Sequence, residues 1–244
     1  MTARVVRITT CSVCLSLAVL LFVYGPAWSA LAYGKWKFRE SPNIWIVPRP
    51  MSLTFAARTG VAKMAYFGYE FDSPTAEVKE ERKVESVVVL SFSSCAGMLI
   101  FKPSPGGGLI HAVKLEASKR GENIEDLFGR EATGSDYALR SKELNLRPSD
   151  LRFFASRQEI VANFLFLTIK DGESQRFKNG LYSFETHWMR GFQEGDLSRD
   201  RGVLIDAYDR EDRRLMLVVA AKPGPSCFAQ SDLNQIISSL RPVP

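Results

Sequence analysis

Histidine is nearly missing from this chain: His111 and His187 are the only two in 244 residues. Hydrolysis of the triad kind needs an imidazole within hydrogen-bond reach of its nucleophile. Two histidines far apart in sequence leave little material for it, and no Gly-x-Ser-x-Gly elbow is present. Blocks of five like charges are missing too. Lys79-Glu80-Glu81-Arg82-Lys83 and Asp209–Arg214 mix signs and read as solvated turns. A net charge of +5 is a mild bias, so no nucleic-acid partner is expected. Cysteine is scarce, with four residues. Cys11 and Cys14 lie inside an apolar run and not at its end, which excludes a lipoprotein site.

What the chain does have is a leader. Met1–Arg7 carries Arg4 and Arg7 and no acid, Ile8–Tyr24 is almost wholly apolar, and Ala27, Ser29, Ala30 and Ala32 follow as small residues. That is the order of an export signal. Two cleavage frames fit: Ala27-Trp28-Ser29, and Ala30-Leu31-Ala32 with cutting before Tyr33. The alternative is an uncleaved anchor, because about 17 apolar residues stand at the lower edge of what spans a bilayer. Arg4 and Arg7 would then keep that end in the cytoplasm. Both readings export the body to the periplasm or beyond, with membrane contact through residues 8–24 if the segment stays. Residues 1–32 are thus signal or anchor, 33–64 an extended lead-in, and 65–244 one domain.

Removal of the leader leaves Cys95 and Cys227, an even pair in an oxidising compartment. A bond between them would close a loop of about 130 residues, worth about 4–5 kcal/mol on the chain-entropy model. The alternative is two buried thiols that never meet.

Along the body, the pattern predicts a short strand at Ile44–Val47, one at Tyr66–Phe71, and a hairpin of Val84–Phe92 with Met98–Phe101. Pro103–Gly108, with three glycines, reads as a loop. Asn123 caps a short helix through Phe128, and Ser135 caps a second through Leu144. Ser149 is expected to cap a third that starts at Asp150 and ends at Gly172. Gly180–Met189 follows as a strand, with Gly191–Gly195 as a turn or bulge. Val203–Tyr208 and Leu215–Ala221 flank a polar tip as a hairpin. Ser231 caps Asp232–Leu240, whose Leu233, Ile236, Ile237 and Leu240 make one apolar face. Strands, helices, strands, helix: the fold class is α+β, an antiparallel sheet covered by helices.

The segments Tyr69–Pro74, Val87–Phe92 with Met98–Phe101, Gly191-Phe192-Gln193-x-Gly195, the hairpin 203–221 and the closing Ser238-Ser239-Leu240-Arg241-Pro242 together resemble a Mog1/PsbP-type α-β-α sandwich. The resemblance covers roughly residues 66–242. It implies a non-enzymatic binding or assembly role and carries over no functional residue.

Each chemical motif has a plainer reading beside it. Gly106-Gly107-Gly108 before His111 suggests an oxyanion loop, but a surface loop suffices. Glu185 and His187, two apart on a strand, offer two metal ligands where three are needed. Asp206, Asp209, Glu211 and Asp212 are neutralised by Arg210, Arg213 and Arg214 and lack the EF-hand glycine. No metal, cofactor or catalytic set is therefore expected. Trp36 and Trp45 in the lead-in, with Phe153, Phe164 and Phe166, exceed what one amphipathic stripe needs. They mark either burial on two sides or a surface for a protein partner at the membrane. The favoured reading is an exported, non-enzymatic binding or assembly module at the outer face of the cytoplasmic membrane. The alternatives are a small-molecule or lipid carrier with an apolar pocket between sheet and helix, and a hydrolase using His111 or His187.

Overall fold

The computed structural model describes residues 16–19, 23–25, 28–29, 31–53, 62–73, 78–92, 96–101, 103–104, 108–119, 121–152, 155–221 and 229–243. Cys95, Cys227 and Phe153 lie outside these residues, as does most of the apolar run. Among the described residues no helix is long and apolar enough to cross a membrane.

The body is a mixed α+β structure built on an eight-stranded sheet. Its strands, in chain order, are β1 (Arg49–Pro50), β4 (Val78–Val84), β5 (Val87–Phe92), β6 (Ala96–Phe101), β7 (Leu181–Glu185), β8 (Met189–Glu194), β9 (Gly202–Asp209) and β10 (Arg214–Ala221). They lie in the order β1-β7-β8-β9-β10-β6-β5-β4, all antiparallel except β1 beside β7. A smaller sheet contains β2 (Lys63–Tyr66), β3 (Tyr69–Asp72) and β11 (Arg241–Pro242) in the order β11-β3-β2. The helices are α1 (residues 31–39), α2 (Gly108–Lys119), α3 (Ile124–Phe128), α4 (Arg130–Thr133), α5 (Asp136–Asn145), α6 (Arg157–Glu173) and α7 (Gln230–Ser239).

Alternation sends β9 and β10 side chains to two differently covered faces. On one face Val203, Ile205, Leu215, Leu217 and Val219 join Val88, Leu90, Met98 and Ile100, covered by α7 and the small sheet. On the other, Leu144 of α5 and Phe177 pack on Leu181 and Phe192. A second helical cluster joins α2, α3, α5 and α6, with Phe128 and Phe166 rings 4.3 Å apart.

Capping follows the sequence at two helices: Asn123 Oδ1 accepts from the Glu125 amide and Ser135 Oγ from the Ala138 amide. Elsewhere the structure corrects the expected boundaries. At the start of the lead-in residues 31–39 are helical and not extended, and Pro42–Trp45 forms a 3-10 turn that takes in the start of the strand expected at Ile44–Val47. Pro148–Asp150 is likewise a separate 3-10 turn, and α6 starts at Arg157 under Ser156, whose Oγ accepts from Glu159. Gly108 opens α2 and does not close a loop. Lys79–Lys83 is not a turn but most of β4, a charged edge strand of the kind that discourages edge-to-edge pairing. The expected strand Tyr66–Phe71 is a hairpin turning at Phe67-Gly68. Gly180–Met189 is broken by a turn at Thr186–Trp188, so Gly191–Gln193 falls within β8. Gly191 is needed there because a Cβ would stand 2.1 Å from the Asp206 carbonyl oxygen.

Candidate functional site

The expected site residues separate into distinct environments. Phe166 is fully buried, and Phe164 is half-buried beneath α1, with Phe38 and Tyr33 rings at 5.8 and 6.3 Å. Both are internal packing residues, which corrects their reading as an outer surface. Trp36 and Trp45 do face outward, 67% and 46% exposed. His111 is exposed on α2, and His187 sits in the β7–β8 turn and not on a strand face. His187 lines a cleft of about 220 Å³ with Glu185, Trp188, Arg190 and Asp209. Asp209 is already engaged, accepting from Tyr69 Oη at 2.6 Å and from Arg213 Nε at 2.6 Å. Among the described residues no three His, Cys, Asp or Glu side chains form a metal-ligand set.

The outward tryptophans belong to a built surface. Helix α1 buries Leu31, Gly34 and Phe38, one stripe at i, i+3, i+7, against Leu151, Ile160, Phe164 and Leu167. A Cβ on Gly34 would approach Phe164 Cδ2 to 3.0 Å, so the missing side chain sets how closely α1 approaches α6. Trp36 points away from that stripe, with Tyr33 53% exposed beside it. Lys35, Arg39 and Trp45 face Pro148 and Ser149 across a cleft of about 300 Å³.

Sequence reasoning missed a charge cluster between the helices and the sheet. Arg140 of α5 is buried and donates to both Glu143 oxygens at 2.9 and 2.8 Å and to Glu194 Oε1 at 2.6 Å. It also pairs with Glu173 at 2.5 Å and approaches Asp206 Oδ2 to 3.8 Å. Arg176 pairs with Glu194 and Glu173 at 2.6 and 2.9 Å. Arg214 grips Asp206 in a fork at 2.6 and 3.0 Å, and Tyr208 Oη donates to the same carboxylate.

Burial would lower the Arg140 guanidinium, but the four carboxylates around it raise it well above its ordinary value. Burial pushes Glu143 up to about 7 against the pull of Arg140. Beside the cluster, Lys170 donates to the Leu144 and Leu146 carbonyls, both at 2.7 Å, satisfying the open C-terminus of α5. Burial draws Lys170 down to about 8.

The arrangement organises helices on a sheet and holds protons close to neutrality. Between α5 and the sheet, Leu144, Phe177, Phe192 and these ion pairs fill the interlayer space. No protein-family model, curated protein or solved structure matches the chain. The functional reading therefore rests on its own side chains.

Proposed function

We propose that this chain is a non-enzymatic binding or assembly module held at the outer face of the cytoplasmic membrane by its N-terminal segment. The observation that carries the reading is the seating of α1. Leu31 and Phe38 are fully buried against α6, so the chain leaving the apolar run is part of the body's packing. Trp36, Tyr33 and Trp45 remain exposed, and amphipathic aromatic side chains favour a membrane interface.

Cutting after Ala32 would remove Leu31 from this core, leaving a cavity worth roughly 2–5 kcal/mol. Retention, or cutting after Ser29, keeps it. The test is the intact mass of protein from alkali-washed membranes, with impermeant thiol labelling of a Ser198→Cys variant in whole cells. Ser198 is exposed, so the introduced thiol reports the side of the membrane on which the body stands. A full-length mass in the washed membranes, with that thiol labelled from outside, is the expected result. A soluble species beginning at Tyr33, or an introduced thiol shielded from the label, overturns the reading.

A further inference from the structure

We propose that the cleft between α1 and the Pro148–Ser149 turn binds the headgroups of anionic phospholipids in the membrane that holds the chain. This rests on the membrane-held reading above. Three observations converge on it.

The first is distance. Arg7 and Lys35 bracket 27 consecutive uncharged residues, 8–34. As a helix at ~1.5 Å per residue, residues 8–30 would cover about 35 Å, enough for the hydrocarbon core, and leave Leu31 and Gly34 to the body's packing. The described residues 16–19, 23–25, 28–29 and 31–39 are all helical. Lys35 is the first charge past the uncharged run, where the headgroup layer would lie.

The second is charge. Lys35, Lys37 and Arg39 come within five residues, with Glu40 as the adjoining acid. Lys35 and Arg39 line the cleft together. The opposite wall is formed by Pro148 and Ser149 of the 3-10 turn, where Asp150 accepts from the Arg147 amide. Two cations on one wall, facing a wall that carries no acid, suit a phosphodiester.

The third is the aromatic rim. Trp45 lines the cleft at 46% exposure, and Trp36 and Tyr33 stand outward on the same helix. Indoles prefer the depth at which one edge is apolar and the other wet. A cleft for a soluble anion would need the cations but not an exposed indole in its wall.

The test uses the full chain in nanodiscs of phosphatidylcholine, with and without phosphatidylglycerol, followed by hydrogen exchange at the Ile44 and Ile46 amides. Both amides are bonded within the 3-10 turn that carries Trp45. Lys35→Gln with Arg39→Gln is compared with Lys63→Gln, an exposed cation elsewhere. At about 1 kcal/mol per cation near an anionic surface, phosphatidylglycerol should slow exchange at these amides by up to about 30-fold. The double variant should lose that slowing and Lys63→Gln should keep it. Equal exchange in both discs, with the chain still inserted, overturns the headgroup site and leaves the membrane reading standing. A chain that inserts in neither disc overturns both. Equal slowing by glycerol phosphate without discs would assign the cleft to a soluble anion and overturn the lipid proposal.

Discussion

The two faces of the eight-stranded sheet are held by different physics. Under α7 and the small sheet, Val203, Ile205, Leu217 and Val219 meet Leu233, Ile236 and Ile237, with polar groups such as Asp209 and Gln193 toward the ends of the strands. Under α5 the same strands present Asp206 and Glu194, and the helix answers with Arg140. Apolar burial is non-directional and tolerates small shifts. A buried ion cluster tolerates none, because each charge has lost its water and depends on its partner's position. One face thus supplies cohesion, and the other fixes where α5 sits.

The largest effect should come from breaking the charged face. Arg140→Ala leaves Glu143, Glu194 and Asp206 facing one another without their shared cation and should cost about 3–5 kcal/mol at neutral pH. The loss should shrink at pH 5, as Glu143 and Glu194, both raised by burial, take up protons. Leu217→Ala on the apolar face should cost somewhat less, about 3 kcal/mol, by leaving a cavity. Its cost should be the same at both pH values. Urea unfolding of both variants at pH 5 and 7.5 makes the comparison. Equal pH sensitivity in the two would mean that the faces do not differ as argued.

A smaller break lies at the rim. Asp212, at φ 61°, accepts from Ser135 Oγ and from the Asp136 and Tyr137 amides, so the β9–β10 turn caps α5. Asp136 in turn accepts from the Leu109 and Ile110 amides at the start of α2. Asp212→Ala removes the first link of this relay and places alanine in a left-handed conformation. About 2 kcal/mol should be lost, with exchange rising at the first amides of α5 and less at α7. Exchange rising first in α7 would show that the relay does not carry the charged face.

The apolar face was legible in the sequence and the charged one was not. Leu233, Ile236, Ile237 and Leu240 announce α7 by period alone, and the β9–β10 hairpin follows from alternation around a polar tip. Arg140 and Glu143 occupy the same stripe as Leu139 and Leu144, but hydrophobic pattern reading treats charge as outward and so turns the helix over. Alternation through Leu204, Asp206 and Tyr208 carried the matching signal, and nothing local says that the two charged stripes meet. The Thr186–Trp188 turn was hidden for another reason. Its flanks Phe184 and Met189 are strand-formers, and glycine at 191 suggests a bend unless the backbone of β9 is known to lie against it. Trp36 and Trp45 were legible as surplus aromatics, whereas Phe164 and Phe166 were absorbed by α1 and α3, whose packing no local pattern reveals.

The finest test of the two-face comparison is the sign of a pH slope. Glu143 ionises at about 7 in the folded protein, against an ordinary value of 4.5, because burial outweighs Arg140. Between those two values the folded state binds more protons than the unfolded one, so stability falls as pH rises. The contribution of this carboxyl is fully present below about 4.5 and is lost as pH passes through 7, by at most about 3 kcal/mol. Glu194 is raised by burial too and acts in the same sense. Lys170, drawn down to about 8, acts oppositely: its penalty is complete below 8 and is relieved as pH climbs toward 10.5. Glu143→Gln keeps the shape and removes the titration. At pH 7 its effect should be small, under about 1 kcal/mol, since half the wild-type carboxyls are already protonated there. Between pH 5 and 7.5 the wild-type stability should fall more steeply than that of the variant, whereas parallel curves would mean that Glu143 is ionised throughout and that Arg140 outweighs its burial.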